Sequence, residues 1–492
     1  MSPHIDPSKI PPEVSHVTRT LADAGFEAFL VGGCVRDLIM GREPKDWDVT
    51  TNATPEQIQG HFQKTVYENK FGTVAVIFEN TPKQGENMII EVTPYRTESS
   101  YSDHRHPDEV IFAQDIKDDL KRRDFTVNAL AYDEIKDNLL DVFNGMSDIK
   151  DKVIRAVGTP RDRFHEDALR MLRAVRFSTE LGFTIAHETM EAIVDNSALL
   201  AHISSERIRD EFSKIIMSPE PMVGIGMLYK LGLLKHIVPE LEEGIGNEQG
   251  GEHIYDVFEH ILHALGHAAE KKMPLDIRLA ALFHDIGKPR TRRPGVKKAY
   301  TFYGHEVIGA RMVKKIMERL KFPNDITEKV VKLVRYHMFF SDTEAITLSA
   351  VRRTIVNVGR ENIWDLMEVR ECDRVGMKKK EAPYRLRKYH AMIEEALRAP
   401  TSVGMLKING EVLIQELGIK PGPRMGWMLH ALLEECLEDD TKNNLDYLKS
   451  RVLELNKLSD QELKAFGEAG KQAKEEKEGE ELGEIRKKHG VK

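Results

Sequence analysis

The period of the hydrophobic pattern changes once along these 492 residues. Before about residue 145 the apolar residues come in short β-branched or aromatic runs. FEAFLV (26–31), WDVTT (47–51), TVAVIF (73–78) and MIIEVTPY (88–95) read as strands. From about residue 160 the apolar residues recur at helical spacing and strand signals become sparse. The fold class is therefore α+β: a small mixed-sheet domain first, then helices. TPEQIQGHF (54–62) is predicted to start a helix, with Thr54 as N-cap and Pro55 at the first helical position. The length suggests three or four domains. Joints are expected near 145–160, 240–251, 378–384 and 456–460, giving segments 1–145, 146–245, 246–378, 379–457 and 458–492.

Composition excludes several classes. No apolar run is long enough to span a bilayer, and MSPHIDPSKIPPEV lacks the apolar core of a signal peptide. Cys34, Cys372 and Cys436 stand far apart in no metal-like spacing, which argues for a reducing compartment and a cytoplasmic setting. The net charge of −8 gives no whole-chain signature of nucleic-acid binding, so any such site must be a local field. Residues 458–492 are charged and poor in large apolar residues, and are expected to be disordered or frayed.

GGCVRD (32–37) is a strand-to-helix turn. Gly32 and Gly33 let backbone approach a ligand, with Arg36 in the following helical turn. Ten residues on, Asp46 and Asp48 flank Trp47. On a strand, alternation puts both carboxylates on one face and the indole on the other. That pattern fits an ordinary solvated edge or a Mg²⁺ site, because Mg²⁺ takes carboxylates together with substrate phosphates. Glu91, between Ile90 and Val92, interrupts an apolar strand. A buried acid needs a partner, and a neighbouring strand bringing Glu91 beside Asp46 and Asp48 would complete a three-carboxylate metal site. In DDLKRRDFTVNALAYD (118–133), Arg122 and Arg123 offer phosphate donors, and Asp124 and Asn128 can bind ribose hydroxyls. The same residues also fit a charged helix start before a core strand.

RFHEDALRMLRAVRF (163–177) reads as one helix. Leu169, Leu172 and Val175 form its apolar face, and Asp167, Arg170, Arg173 and Arg176 recur every third residue. Taken in order, GGCVRD, DWDVTT, RRDFTVNALAYD and HEDALRMLRAVRF resemble the successive motifs of the class II tRNA nucleotidyltransferase and bacterial poly(A) polymerase family over roughly residues 24–240. The resemblance implies a polymerase-β-like nucleotidyltransferase head (1–145), followed by an all-α neck with a base-reading helix (146–245), further helical domains and a tail.

The chemistry of the bases sharpens the role of that helix. Cytosine and adenine each present an exocyclic amine beside a ring-nitrogen acceptor. A carboxylate beside a guanidinium complements that edge and opposes uracil and guanine. Asp167 and Arg170 are thus expected to admit CTP and ATP, at ~10⁴-fold discrimination by analogy with sites built to hydrogen-bond a substrate. The resemblance implies the same roles, with Arg173 and Arg176 assisting binding and Glu166 supporting the set.

HIYDVFEHILHALGHA (253–268) and LDIRLAALFHDIGKP (275–289) bring a second cluster. The adjacent His284-Asp285 resembles the HD phosphohydrolase superfamily, and marks 246–378 as an HD-type domain. His260, His284, Asp285 and Asp373 make a mixed imidazole–carboxylate set suited to Mn²⁺, Ni²⁺ or Fe²⁺, while His305 and His337 could contact a second metal or a phosphate. Residues 406–448 resemble the tRNA-binding tail (379–457) of such enzymes.

The function expected is a CCA-adding tRNA nucleotidyltransferase. It would add CMP, CMP and AMP from CTP and ATP to the tRNA 3′ acceptor end, with Mg²⁺ at Asp46 and Asp48 and with neither DNA nor membrane as partner. Poly(A) addition, CC-only or A-only addition, and a metal-dependent phosphohydrolase remain the rivals. The oligomeric state is not legible in the sequence.

Overall fold

The computed structural model describes residues 5–67, 72–79, 87–98, 110–113, 115–250, 254–295, 299–338, 346–375 and 383–466. The chain forms two compact units, Met1–Glu242 with Arg319–Lys321, and Glu243–Glu318 with Phe322–Lys492. Part of the expected joint at 378–384 and residues 467–492 of the expected disordered tail lie outside the described residues.

Besides a short parallel pair (Val153–Ile154 with Thr184–Ile185), the strands of the first unit, in chain order, are β1 (Ala28–Val31), β2 (Trp47–Thr51), β3 (Thr65–Tyr67), β4 (Val74–Phe78), β5 (Met88–Pro94), β6 (Arg96–Glu98), β7 (Val110–Phe112), β8 (Leu130–Asp133) and β9 (Asn138–Asp141). Seven of them make one mixed sheet in the order β3-β4-β5-β2-β1-β8-β9, and β6 pairs with β7 alone. The α+β reading holds. The four runs read as strands are β1, β2, β4 and β5, and Thr54 caps the helix Pro55–His61 through a reciprocal bond pair with Gln57.

Trp47 and Val49 of β2 join Ile90 and Val92 of β5 in the core under the sheet. Alternation sends Asp48 and Glu91 to the other face. The two strands run parallel with Asp48 beside Glu91. Glu91 is exposed, which corrects the expectation of a buried acid. Its apolar neighbours reflect the buried face of the strand, not burial on both sides.

No helix is continuous through 163–177. The helix Pro160–Glu166 ends at Asp167, whose backbone is extended (φ −144°, ψ 103°), and a second helix runs Leu169–Leu181. The cause is local: the Asp167 carboxylate accepts the Leu169 N–H at 3.1 Å, so the side chain replaces a helical carbonyl and restarts the helix. Near residue 145 the chain is stitched to the sheet domain rather than open. The Thr126 N–H donates to the Arg155 carbonyl (2.9 Å) and the Val157 N–H to the Asp124 carbonyl (3.1 Å).

The second unit is helical apart from a short antiparallel pair, Arg293–Pro294 with Tyr300–Thr301. Helices Val257–Glu270, Leu275–Phe283, Asn324–Tyr336 and Ile363–Asp373 pack together. Gly287 lies against the start of the helix His305–Arg319. A Cβ there would meet the His305 carbonyl oxygen at 2.2 Å, so only glycine permits this approach. A further core gathers around Leu432, Cys436, Leu448 and Val452. Leu463 is fully buried in it, so residues 460–466, expected to be frayed, are helical and packed. No helix among the described residues is long and apolar enough to cross a membrane.

Candidate nucleotidyltransferase site and metal centre

In the first unit the glycine turn, β2 and the Arg122-Arg123 segment converge. Gly32 has φ +83°, and a Cβ on it would lie 2.9 Å from Arg123 Nη1 and 3.6 Å from Asp48 Oδ2. Glycine is required both for the left-handed backbone and for this clearance. The Gly32 N–H donates to the Leu130 carbonyl (3.2 Å), so that amide serves the sheet rather than a ligand. Asp48 is raised above the ordinary carboxylate range by burial and by the neighbouring charge of Asp46, against the pull of Arg123. Two converging carboxylates, one half-buried, are a set that a hard cation relieves. Asp46 is exposed immediately before β2. Among the described residues, the three carboxylates Asp46, Asp48 and Glu91 are not drawn within 4.8 Å of one another; both groups that meet that spacing are in the second unit.

Arg122 and Arg123 do not start a helix. They follow the helix Ile116–Lys121, and Asp119, with no side-chain exposure, pairs with both at 2.6 and 3.2 Å. The sequence reading missed Asp119, although its i,i+3 and i,i+4 spacing to the two arginines is a legible signal.

The remaining polar residues form a buried relay. Arg36 Nη1 donates to Asn128 Oδ1 (2.7 Å), Asn128 Nδ2 to Asp124 Oδ1 (3.2 Å), and Arg173 Nε to Asp124 Oδ2 (2.8 Å). Arg36, Asn128 and Asp124 are all under 9% exposed. In this structure they bond to one another, and in addition Arg36 Nε donates to Asp37 Oδ1 (3.0 Å) and the Phe125 N–H to Asp124 Oδ1 (2.8 Å). Arg176 is also a support residue. It pairs with Glu211 at 2.9 Å and lies over the Phe177 ring.

Burial alone would raise the Asp124 carboxyl, but Arg173 outweighs it and holds the group at about 2, against an ordinary 3.8. The folded value lies below the unfolded one, so the stabilisation is complete above about pH 4 and is lost as pH falls through about 2. It is worth about 2 kcal/mol. Asp124→Asn should therefore unfold more readily than the parent in urea at pH 6, and the difference should close towards pH 2. An equal difference at both pH values would exclude the ionised pair as its source.

At the helix break, Glu166 and Asp167 diverge. Glu166 pairs with Arg163 and, at 2.6 Å, with Arg170. Arg170 Nη1 also donates to the Arg163 carbonyl (3.2 Å) and Nη2 to the Arg122 carbonyl (3.0 Å). Three of its five N–H donors are thus engaged. Asp167 is gripped by Arg207, at 3.2 Å through Oδ1 and 2.7 Å through Oδ2. Arg207, on the helix Ser205–Met217, was not found by the sequence reading, and no local spacing could have found it. The carboxylate keeps lone pairs for a further donor.

In the second unit His260, His284, Asp285 and Asp373 come together, and so do Asp285, His305 and His337. The four residues of the sequence reading form one group. His260 Nε2 lies 3.2 Å from His284 Nε2, 3.3 Å from Asp285 Oδ2 and 3.5 Å from Asp373 Oδ1. His284, His305 and His337 each set Nδ1 against a backbone carbonyl, of Ala281 (2.8 Å), Phe302 (2.7 Å) and Val334 (2.7 Å). A carbonyl only accepts, so Nδ1 carries the hydrogen and Nε2 faces the cluster, as a metal ligand must. Burial opposes a proton on His284, yet Asp285 and Asp373 push it up to about 10. A cation taking that place would release the proton. Lys288, missed from the sequence, supplies a positive charge 2.6 Å from Asp285 Oδ2 and donates to Gln249 Oε1 at 2.6 Å.

Comparison with known proteins agrees with this geometry. Residues 28–155 match the Poly A polymerase head domain, 182–245 the probable RNA and SrmB-binding site of polymerase A, and 252–377 the HD domain. The chain is 33% identical over 446 residues to a CCA-adding enzyme of Lactobacillus helveticus, covering 89% of this chain and 96% of that protein. The crystal structure of the Bacillus stearothermophilus CCA-adding enzyme in complex with CTP is similar at 28% identity and a TM-score of 0.68, over 91% of this chain and 98% of that one. The Thermotoga maritima CCA-adding enzyme complexed with tRNA shares the fold at 21% identity and a TM-score of 0.55, over 91% and 97%. Fold and site thus define a polymerase-type nucleotidyltransferase. The chain belongs to the CCA-adding enzyme family.

Proposed function

We propose that the protein adds CMP, CMP and AMP, from CTP and ATP, to the 3′ end of tRNA, with release of pyrophosphate. Beyond family membership, one observation carries this reading. The relay Arg36–Asn128–Asp124–Arg173 ties the glycine turn beside Asp48 to the helix that follows Asp167. One hydrogen-bonded network therefore links the turn next to Asp48 with the helix next to Asp167, which supports a protein that acts as its own template.

Asp46 and Asp48 would hold Mg²⁺, with Glu91 beside them on the same face of the sheet. The metal, when bound, supplies charge stabilisation at the reacting phosphate and a more acidic 3′-hydroxyl. Arg122 and Arg123, held by Asp119, take the triphosphate. Gly32 and Gly33 keep the turn open to it. Asp167 accepts from the exocyclic amine of cytosine or adenine, and Arg170 donates to the ring nitrogen. Glu166, Asp124, Asn128, Arg36, Arg173 and Arg176 act by holding these groups. RNA is gripped by shape and phosphate contacts. The three free, buried cysteines fit a cytoplasmic protein.

The reading is tested on tRNA ending at its discriminator base, incubated with CTP, with ATP and with both. CTP alone should give two added nucleotides and the mixture three, resolved at single-nucleotide length. Long products from ATP alone would instead favour poly(A) addition, and arrest after two nucleotides, or addition only to a CC end, the partial activities.

In the second unit, His260, His284, Asp285 and Asp373 would bind a transition metal such as Mn²⁺, Ni²⁺ or Fe²⁺. Their imidazole and carboxylate donors suit one, and bound metal would support hydrolysis of a phosphate ester there.

A further inference from the structure

We propose that Arg292 and Arg293, at the strand pair Arg293–Pro294 with Tyr300–Thr301, form a contact for the phosphate backbone of RNA. The inference rests on the reading of tRNA as substrate and deepens it, by assigning a grip on that RNA to an element of the second unit. It uses none of the residues of the buried imidazole–carboxylate cluster. Three features carry it.

Charge is segregated here. The chain as a whole holds more acidic than basic residues, 80 against 72. Residues 288–305, KPRTRRPGVKKAYTFYGH, nonetheless carry six Lys or Arg and no Asp or Glu. Of the six, Lys297 and Lys298 lie outside the described residues. An ordinary solvated surface intersperses both signs, whereas a run of one sign focuses a local field on a polyanion.

The two arginines are left without acids. Elsewhere in this unit surface arginines are matched: Arg290 with Glu243, Arg353 with Glu438, Arg424 with Asp460 and Arg451 with Glu435. Lys288, at the start of the run, is committed to Asp285 and Gln249. Arg292 and Arg293 have no ion-pair partner among the described residues.

Both guanidinium groups are held in ways that keep donors free. Arg292 Cζ lies 3.6 Å from the centroid of the Tyr300 ring, so the ring supports the guanidinium by its face and leaves its N–H edge open. Arg293 is exposed and spends one donor of five, Nη1, on the Arg292 carbonyl at 2.9 Å. The Gly295 N–H donates to the Ala299 carbonyl at 3.2 Å and closes the far end of the pair. A guanidinium edge fixed in this manner takes a phosphate through two parallel N–H bonds. RNA fits better than an acidic protein, because the proposed reaction itself brings a polyanion to the chain.

The test uses the full chain and tRNA ending at its discriminator base. The dissociation constant is measured by fluorescence anisotropy from about 50 to 200 mM KCl, where affinity falls steeply with phosphate contacts. CMP addition is followed on the same tRNA. Each phosphate contact contributes ~0.9 to the slope of log affinity against log salt. Arg292→Gln with Arg293→Gln should lower the magnitude of that slope by about 2 and weaken binding roughly 10-fold or more near 100 mM salt, with the KM for tRNA rising alongside. Arg292→Lys with Arg293→Lys keeps both charges and should keep the slope. An unchanged slope in the glutamine variant overturns the inference while CMP addition by the parent leaves the substrate reading standing. Equal loss of slope in the lysine variant also overturns it, because the loss then follows local structure and not charge. A parent that neither binds this tRNA nor adds CMP to it overturns the substrate reading, and the inference with it.

Discussion

Asp48→Ala should abolish nucleotide addition, lowering the rate by at least about 10³-fold, while leaving the fold and the second unit intact. Asp48 sits where the glycine turn, β2 and Arg123 meet, and its carboxyl is raised by burial and by Asp46. Removing it takes away a proposed metal ligand and the charge facing Arg123. Loss of electrostatic stabilisation at a reacting centre costs roughly 10²–10³-fold for a single hydrogen-bond donor, and a metal ligand should cost more. The fold should survive, because the core beneath β2 is made by Trp47 and Val49, on the other face. Asp46→Ala should act in the same direction. The double exchange should leave any phosphate-ester hydrolysis at the HD-type centre unchanged, since that centre uses none of these residues. Substantial addition of CMP by the double variant would remove Asp46 and Asp48 from the mechanism.

Asp167→Ala should relax the choice of nucleotide more than it slows the reaction. The carboxylate is the acceptor that separates an exocyclic amine from a carbonyl. Sites built to hydrogen-bond a substrate reject a mismatched analogue by ~10⁴-fold, and loss of this acceptor should erase on the order of 10²-fold or more of the preference for CTP over UTP. Arg207, which grips both oxygens of Asp167, supplies a companion test. Arg207→Ala should relax selectivity in the same direction by a smaller factor, since the carboxylate remains but is no longer fixed. Competition between CTP and UTP on one tRNA reads both effects as product ratios, which a general loss of stability would not shift. An unchanged ratio in Asp167→Ala would end the edge-reading argument.

The residues that were legible in the sequence share one property: their meaning is set by local spacing. Asp46 and Asp48 alternate about Trp47 because strand geometry has period two, and β2 places Trp47 and Asp48 as that period requires. His284 and Asp285 are adjacent, and their partners His260 and Asp373 lie in helical runs of recognisable character. The capping box at Thr54 is a matter of four residues. Local rules misled where a side chain competes with its own backbone. Asp167 looked helical from periodicity, yet its carboxylate takes the Leu169 N–H and breaks the helix there.

By itself, then, the sequence determined the α+β class, four strands of the main sheet and the alternation of Asp48 against Trp47, because dihedral preference and side-chain period act over a few residues, whereas the imidazole–carboxylate set was legible through the resemblance of His284-Asp285 to a known superfamily. The tertiary structure alone decided which charged groups are available to a ligand. Asp124 and Asn128, read as groups for ribose hydroxyls, are joined with Arg36 in a buried relay. Arg207 had no local signal and fixes Asp167 from forty residues away. Glu91 turned out exposed, beside Asp48 across a parallel strand pair. The physical reason is the same in each case. A buried charge must find its partner wherever packing brings one, and the distance that matters is through space, a few ångströms, with no counterpart along the chain.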